Sequence, residues 1–168
     1  MSQAQRLIFL KNMEIFCVSH DLDRLIRAEL KQIRMLVESR RSLIERSLTG
    51  SVEIEHLDAL SALLHSVYTA MERIMVHVAK REGEYEAIHA KAFMWHSMLL
   101  NTLAAPADKR PAVISEALHN HLKEYLGFRH VFRHAYLHEL QWNKMRGLVE
   151  ELLDVIALFE SEILAFLR

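Results

Sequence analysis

An all-α fold follows from three features of this 168-residue chain. It has only 4 Gly and 2 Pro, so residues that form turns are scarce. Strong helix formers (Leu, Glu, Lys, Arg, Ala, Met) are abundant, and 51% of the chain is apolar. No stretch alternates polar and apolar residues over the length of a strand. The expected architecture is an up-and-down bundle of about five helices. It forms a single domain over residues 19–168, with residues 1–18 as an N-terminal arm or extension.

The first helix is capped by Ser19 or Asp21 and carries Leu22, Leu25, Ile26, Ile33, Leu36, Val37 and Leu43–Ile44 at helical spacing. It fades before Thr49-Gly50. A second helix starts at Ser51, with a stripe from Leu57 and Leu60 through Val67, Tyr68 and Met71 to Val78. Each runs roughly 28 residues, about 40 Å, and the short Gly-containing turn between them favours an antiparallel pair. Gly83 marks the next break. A third helix over about Tyr85–Leu103 carries Ile88, Phe93, Met94, Met98 and Leu99, with Trp95 and His96 in its middle. Residues 104–111 hold both prolines and read as a loop; Ser115 then caps a fourth helix. A fifth, acidic helix runs from about Asn143 to Leu167.

Charge narrows the function classes. The net charge of −1 excludes a protein that attracts nucleic acid over its whole surface, so binding to an anionic polymer requires a local patch. The lone Cys17 cannot form an internal disulfide and fits a reducing cytoplasm. No apolar run approaches a membrane span, and Leu7–Leu10 is too short for a signal-peptide core. Residues 109–146 hold seven Lys/Arg against three Glu, whereas 147–168 hold five acids against Arg168 alone.

The basic residues concentrate in Arg129, His130, Arg133, His134 and His138, with Tyr136 among them. At about 100° per residue, Phe128, Val131, Phe132 and Ala135 share one arc, which packs. Arg129, His130, Arg133, His134, Tyr136 and His138 fill the other arc. Lys and Glu would solvate such a helix equally well, so this composition exceeds what amphipathicity needs.

Three chemistries use such a face. The i, i+4, i+8 histidines offer adjacent pairs for zinc, but no carboxylate lies among them and two arginines repel a cation, so no metal or other cofactor is assigned. A non-catalytic face that binds a partner is the second. The third is metal-independent RNA cleavage, in which a neutral histidine takes the 2′-hydroxyl proton and an arginine holds the phosphate. Arg129 and His134 lie about 140° apart on an ideal helix. A productive site therefore needs a distorted turn or a second copy, which suggests a homodimer.

Arg129-His130-x-x-x-His134-x-Tyr136 resembles the Arg-x4-His-x-Tyr signature of HepT-type toxins in the HEPN ribonuclease superfamily. Glu124-Tyr-x-Gly-Phe-Arg-His130, Arg110–Ser115, Tyr68-x-x-Met-Glu72-Arg73-Ile74 and Trp95-His96 are similar to a HepT-like branch, so the resemblance covers roughly 22–168. It implies a HEPN-like bundle that dimerises and cuts RNA (transfer or messenger RNA among the candidates) as the toxin of a toxin–antitoxin module. The implied partner is an MNT-type nucleotidyltransferase antitoxin that transfers AMP onto the motif tyrosine, here Tyr136. The implied catalytic residues are Arg129, on the scissile phosphate, and His134, as general base or acid. His130 is a polar helper and Arg133 adds affinity for the RNA backbone. His96 and His138 are expected as ordinary core or surface histidines, and Trp95 as core. The alternative is a non-catalytic helical module that holds a nucleotidyltransferase.

Overall fold

The computed structural model describes residues 3–90, 93–108, 110–134 and 140–168, with side chains described from Asp21 onward except that of His134. The described residues form eight helices: α1 (Gln3–Glu38), α2 (Arg41–Thr49), α3 (Ile54–Arg81), α4 (Tyr85–His89), α5 (Trp95–Ala104), α6 (Glu116–His134), α7 (Trp142–Glu150) and α8 (Leu152–Phe166). They contain no β-strand, only an isolated bridge between Ala107 and Arg110. The all-α expectation holds. None of the helices is long and apolar enough to cross a membrane.

The higher helix count comes from breaks within expected helices. The first helix splits at Ser39-Arg40, where Ser39 Oγ donates to the Leu36 carbonyl (2.7 Å) and the Arg40 N–H reaches back only to Val37 (3.0 Å). That tighter turn re-aims the chain so that α2 delivers Leu43 and Ile44 to the core. The third helix divides into α4 and α5, and the fifth breaks at Glu151. Gly83, at φ +74°, has the one positive φ among the described residues and ends α3 where the sequence marks a break.

The core forms around α3, which packs against α1, α2, α4, α5, α6 and α7. Its stripe is buried from Leu60 through Leu64, Val67, Tyr68, Met71, Ile74 and Met75 to Val78. Each such side chain contributes about 1.5–3 kcal/mol when fully buried. Arg34 on α1 pairs with Glu160 on α8, tying the first helix to the last.

The loop before α6 is built on a buried cation. Arg110 donates to Glu84 (Nη2–Oε2 2.8 Å) and to the carbonyls of Thr102, Ala105 and Pro111 (2.8, 3.0 and 2.9 Å). It therefore belongs to the scaffold, although it adds to the sequence's basic count. Ser115 caps α6 as expected, its Oγ accepting from the Leu118 N–H (3.2 Å). Glu162 of acidic α8 accepts the Ser115 N–H (2.7 Å).

The packed face of α6 differs from the expected one. Leu118, Leu122 and Tyr125 are buried, and Tyr125 donates to the Leu148 carbonyl (2.7 Å), fixing α6 to α7. The stripe continues at Arg129 and the partly buried Phe132, in steps of 4, 3, 4 and 3. Val131, assigned from sequence to the packing arc, is 57% exposed. Arg129, assigned to the outer arc, points inward, and a carboxylate on α3 makes that position tenable.

Candidate functional site

The inward turn of Arg129 creates a three-helix polar cluster. Glu72 on α3 lies on the core stripe, one turn beyond Tyr68, and its side chain is only 6% exposed. Its Oε2 is 3.3 Å from Arg129 Nη2, and its Oε1 is 2.5 Å from His96 Nδ1. Arg129 Nη1 also lies 3.2 Å from His96 Nε2, and the Arg129 side chain is 11% exposed. With His96 neutral and Nδ1–H donating to Glu72, Nε2 is the nitrogen left to accept from Arg129 Nη1, which sits beside both ring nitrogens, 3.1 Å from Nδ1 and 3.2 Å from Nε2. Burial lowers the His96 pKa; Arg129 and Arg133 reinforce this and Glu72 opposes it, so the neutral form is favoured.

The cluster is braced on either side. Trp95 stacks on His89 (centroids 5.0 Å) and contacts His96 (3.7 Å), so this tryptophan is a partly buried support for the His96 ring. His65 on α3 packs on Phe132 at 5.1 Å. Its pKa is lowered by burial and then by Arg129 and Arg133, so Arg133 shares the electrostatic environment of the cluster. The Tyr68 hydroxyl is buried without a partner among the described residues, and burial beside Glu72 raises its pKa. Arg129 Nε is likewise buried with no partner among them.

A half-open groove of about 440 Å³ lies beside the cluster, between α5 and α6. His96 and His130 line it together with Lys123, Asn101, Leu100 and Leu126. Phe93 and Met94, expected as part of an apolar helix stripe, stand at its mouth, 98% and 64% exposed. The break before α5 turns them outward.

Of the residues singled out from sequence, Arg129, His130 and Arg133 share α6. His130 faces the groove and Arg129 the core-side cluster. The expectations for Tyr136 and His138 fall outside the described residues, as does the side chain of His134. Among the described residues no group of three or more His, Cys, Asp or Glu is arranged to hold a metal ion.

Sequence reasoning gave Glu72 and His65 no part in the site and took His96 for an ordinary core or surface histidine. Two signals pointed to the first: Glu72 falls in register with Tyr68 and Met75 on a core stripe, and Arg129 with Tyr125 and Phe132 on another. A buried carboxylate needs a cation, and the two stripes supply one each.

No curated protein and no solved structure matches the chain. A family model described as HepT-like protein matches residues 59–168, from early α3 to the C-terminus and including all of this cluster, and the chain belongs to that family.

Proposed function

We propose that the protein is a metal-independent endoribonuclease toxin of a toxin–antitoxin system. The HepT-like family suggests a toxin-type ribonuclease of the HEPN superfamily, with RNA and an antitoxin as its context. The observation that carries the finer reading is the fixing of Arg129. Glu72 and His96 hold its guanidinium at one place, and His96 also lines the half-open groove; a fixed cation is the preorganisation that electrostatic catalysis requires.

In the reaction, His134 takes the proton of a ribose 2′-hydroxyl, and the 2′-oxygen attacks the adjacent phosphorus. The P–O5′ bond breaks, the 5′-oxygen leaves with a proton from a general acid, and a 2′,3′-cyclic phosphate remains. Arg129 stabilises the charge that develops on the phosphoryl oxygens, His130 positions the RNA, and Arg133 adds backbone affinity. A homodimer supplies the composite site. Phe128 and Val131 border a cavity against α7 on one flank of α6, where the second copy would sit. An MNT-type antitoxin silences the enzyme by transferring AMP from ATP to Tyr136, releasing pyrophosphate. The added phosphate competes with RNA phosphates for the cations of α6.

One observation favours the non-catalytic alternative: an arginine only 11% exposed and paired with a buried carboxylate also suits a purely structural strut. Incubation of total RNA with unmodified protein in EDTA separates the two readings. Cleavage leaving cyclic phosphate ends, lost in His134→Ala, is the expected outcome. Intact RNA with wild-type protein of unmodified mass refutes the nuclease.

A further inference from the structure

The groove between α5 and α6 has two unlike sides. Phe93 and Met94 give it an exposed apolar side over buried Leu100 and Leu126, while Lys123, Asn101, Ser97 and His130 supply polar and cationic groups. Asn101 Oδ1 pairs with His119 Nε2 (2.9 Å), which orients its amide N–H groups away from that contact. Gly127 borders the groove without a side chain, and a Cβ built there would meet nothing within 4 Å. The exposed Phe93 ring at the mouth offers a face for stacking. At about 440 Å³ the space is of a size for a small ligand.

We propose that this groove is a subsite for one unpaired nucleotide of the RNA, with its base against Phe93, Met94 and the edge of Leu126, and its phosphate toward Lys123 and His130. An apolar slot with a cationic rim and amide hydrogen-bonding groups is the chemistry by which single-stranded bases are held. A duplex does not present a splayed base, so the substrate is cut in loops or single-stranded segments. His96 couples the two regions: it lines the groove and also contacts Arg129. A nucleotide seated there abuts the residue that orients the motif arginine. The opposite flank of α6, lined by Phe128 and Val131 against α7, is left for a second copy. This inference rests on the ribonuclease reading, but it is tested independently of it.

The test is calorimetric titration of protein of unmodified mass with the four ribonucleoside 5′-monophosphates and with ribose 5-phosphate, which lacks a base. At least one nucleotide is expected to bind about tenfold or more tightly than ribose 5-phosphate, the effect of stacking one base. Ser97→Trp and Asn101→Trp, both at exposed positions of α5 that line this groove, fill it and should each abolish that preference. Equal binding of ribose 5-phosphate, or nucleotide binding unchanged in both filled variants, overturns the subsite. So does a dimer that dissociates in the filled variants while nucleotide binding persists, because the groove is then an interface between copies. The same preparations are tested on RNA in EDTA. Cleavage without any nucleotide preference removes the subsite and leaves the nuclease; groove binding without cleavage removes the nuclease and leaves a nucleotide site.

Discussion

Replacing Glu72 with glutamine removes one charge from the cluster and almost nothing else. The amide keeps an oxygen to accept from His96 Nδ1, now 2.5 Å from Oε1, and it keeps the volume of the carboxylate. What it loses is the counter-charge 3.3 Å from Arg129 Nη2. A guanidinium cannot shed its proton in a protein, so Arg129 is left charged at a site where its side chain is 11% exposed. Breaking a buried pair on one side costs about 3–5 kcal/mol. For a chain of this size each kcal/mol lowers the melting temperature by about 2–4 °C, so the variant should melt roughly 6–20 °C below wild type. Removing both charges, as Glu72→Gln with Arg129→Met, leaves no orphan, and the double variant should recover about 2 kcal/mol or more relative to the sum of the singles. Urea unfolding of the four proteins at pH 7 measures the cycle. Additivity within about 0.5 kcal/mol, or a Glu72→Gln cost below about 1 kcal/mol, would refute a buried ion pair at this position. The nuclease reading adds a second readout. A folded Glu72→Gln protein should cleave RNA far more slowly while still binding it, because Arg129 keeps its charge but loses its fixed place.

Further outcomes follow from other parts of the fold. Arg110→Ala leaves Glu84 and three carbonyls without their donor, so a loss of about 3–5 kcal/mol is expected in thermal melts, with RNA affinity per folded molecule unchanged. Gly83→Ala and Gly127→Ala should shift stability in opposite directions although both have empty space for a Cβ. The first forces a side chain onto φ +74° at a cost of about 1–2 kcal/mol, and the second gains about 0.5–1 kcal/mol of helix propensity, both measurable by urea denaturation. His65, His77 and His96 all have pKa values lowered chiefly by burial. Their stabilising effect is therefore complete above the unfolded value of about 6.5 and is lost as pH falls below it toward the folded values. Melting temperature should drop between neutral pH and mildly acidic pH, with a shallower drop in His96→Asn.

The bundle was legible because its main signals are local. Scarce glycine and proline, the α3 stripe from Leu60 to Val78, the Gly83 break and the Ser115 cap each act within a turn or two of chain. The breaks at Ser39-Arg40 and before Trp95 escaped because both segments keep apolar residues at helical spacing on each side of the turn. Phe93 and Met94 look like core in such a pattern, and only the tertiary position of α5 shows them facing out. Charge was the least legible feature, since a cation's role depends on partners distant in sequence. Arg110 and Arg129 counted equally toward a basic segment, yet Arg110 is consumed by Glu84 and backbone carbonyls, and Arg129 by Glu72 and His96.

That inward pairing alters what the motif helix is able to do. An arginine projecting freely from α6 would sample many rotamers and bind phosphate as a loose, salt-screened charge. Held by Glu72 and His96, it gives up part of its net charge and gains a fixed direction. Affinity for the RNA backbone then has to come from elsewhere on the helix, from Lys123, His130 and Arg133, whose side chains stay at the surface. The division predicts unlike kinetics for two substitutions of one cationic helix. Arg133→Ala should raise KM and flatten the salt dependence of binding by about one phosphate contact, leaving kcat nearly intact. Arg129→Lys keeps the charge but not the two-sided grip on Glu72 and His96, and should lower kcat with little change in KM. Single-turnover cleavage at two salt concentrations measures both, and equal effects of the two substitutions on KM would show that Arg129 serves only as another backbone contact.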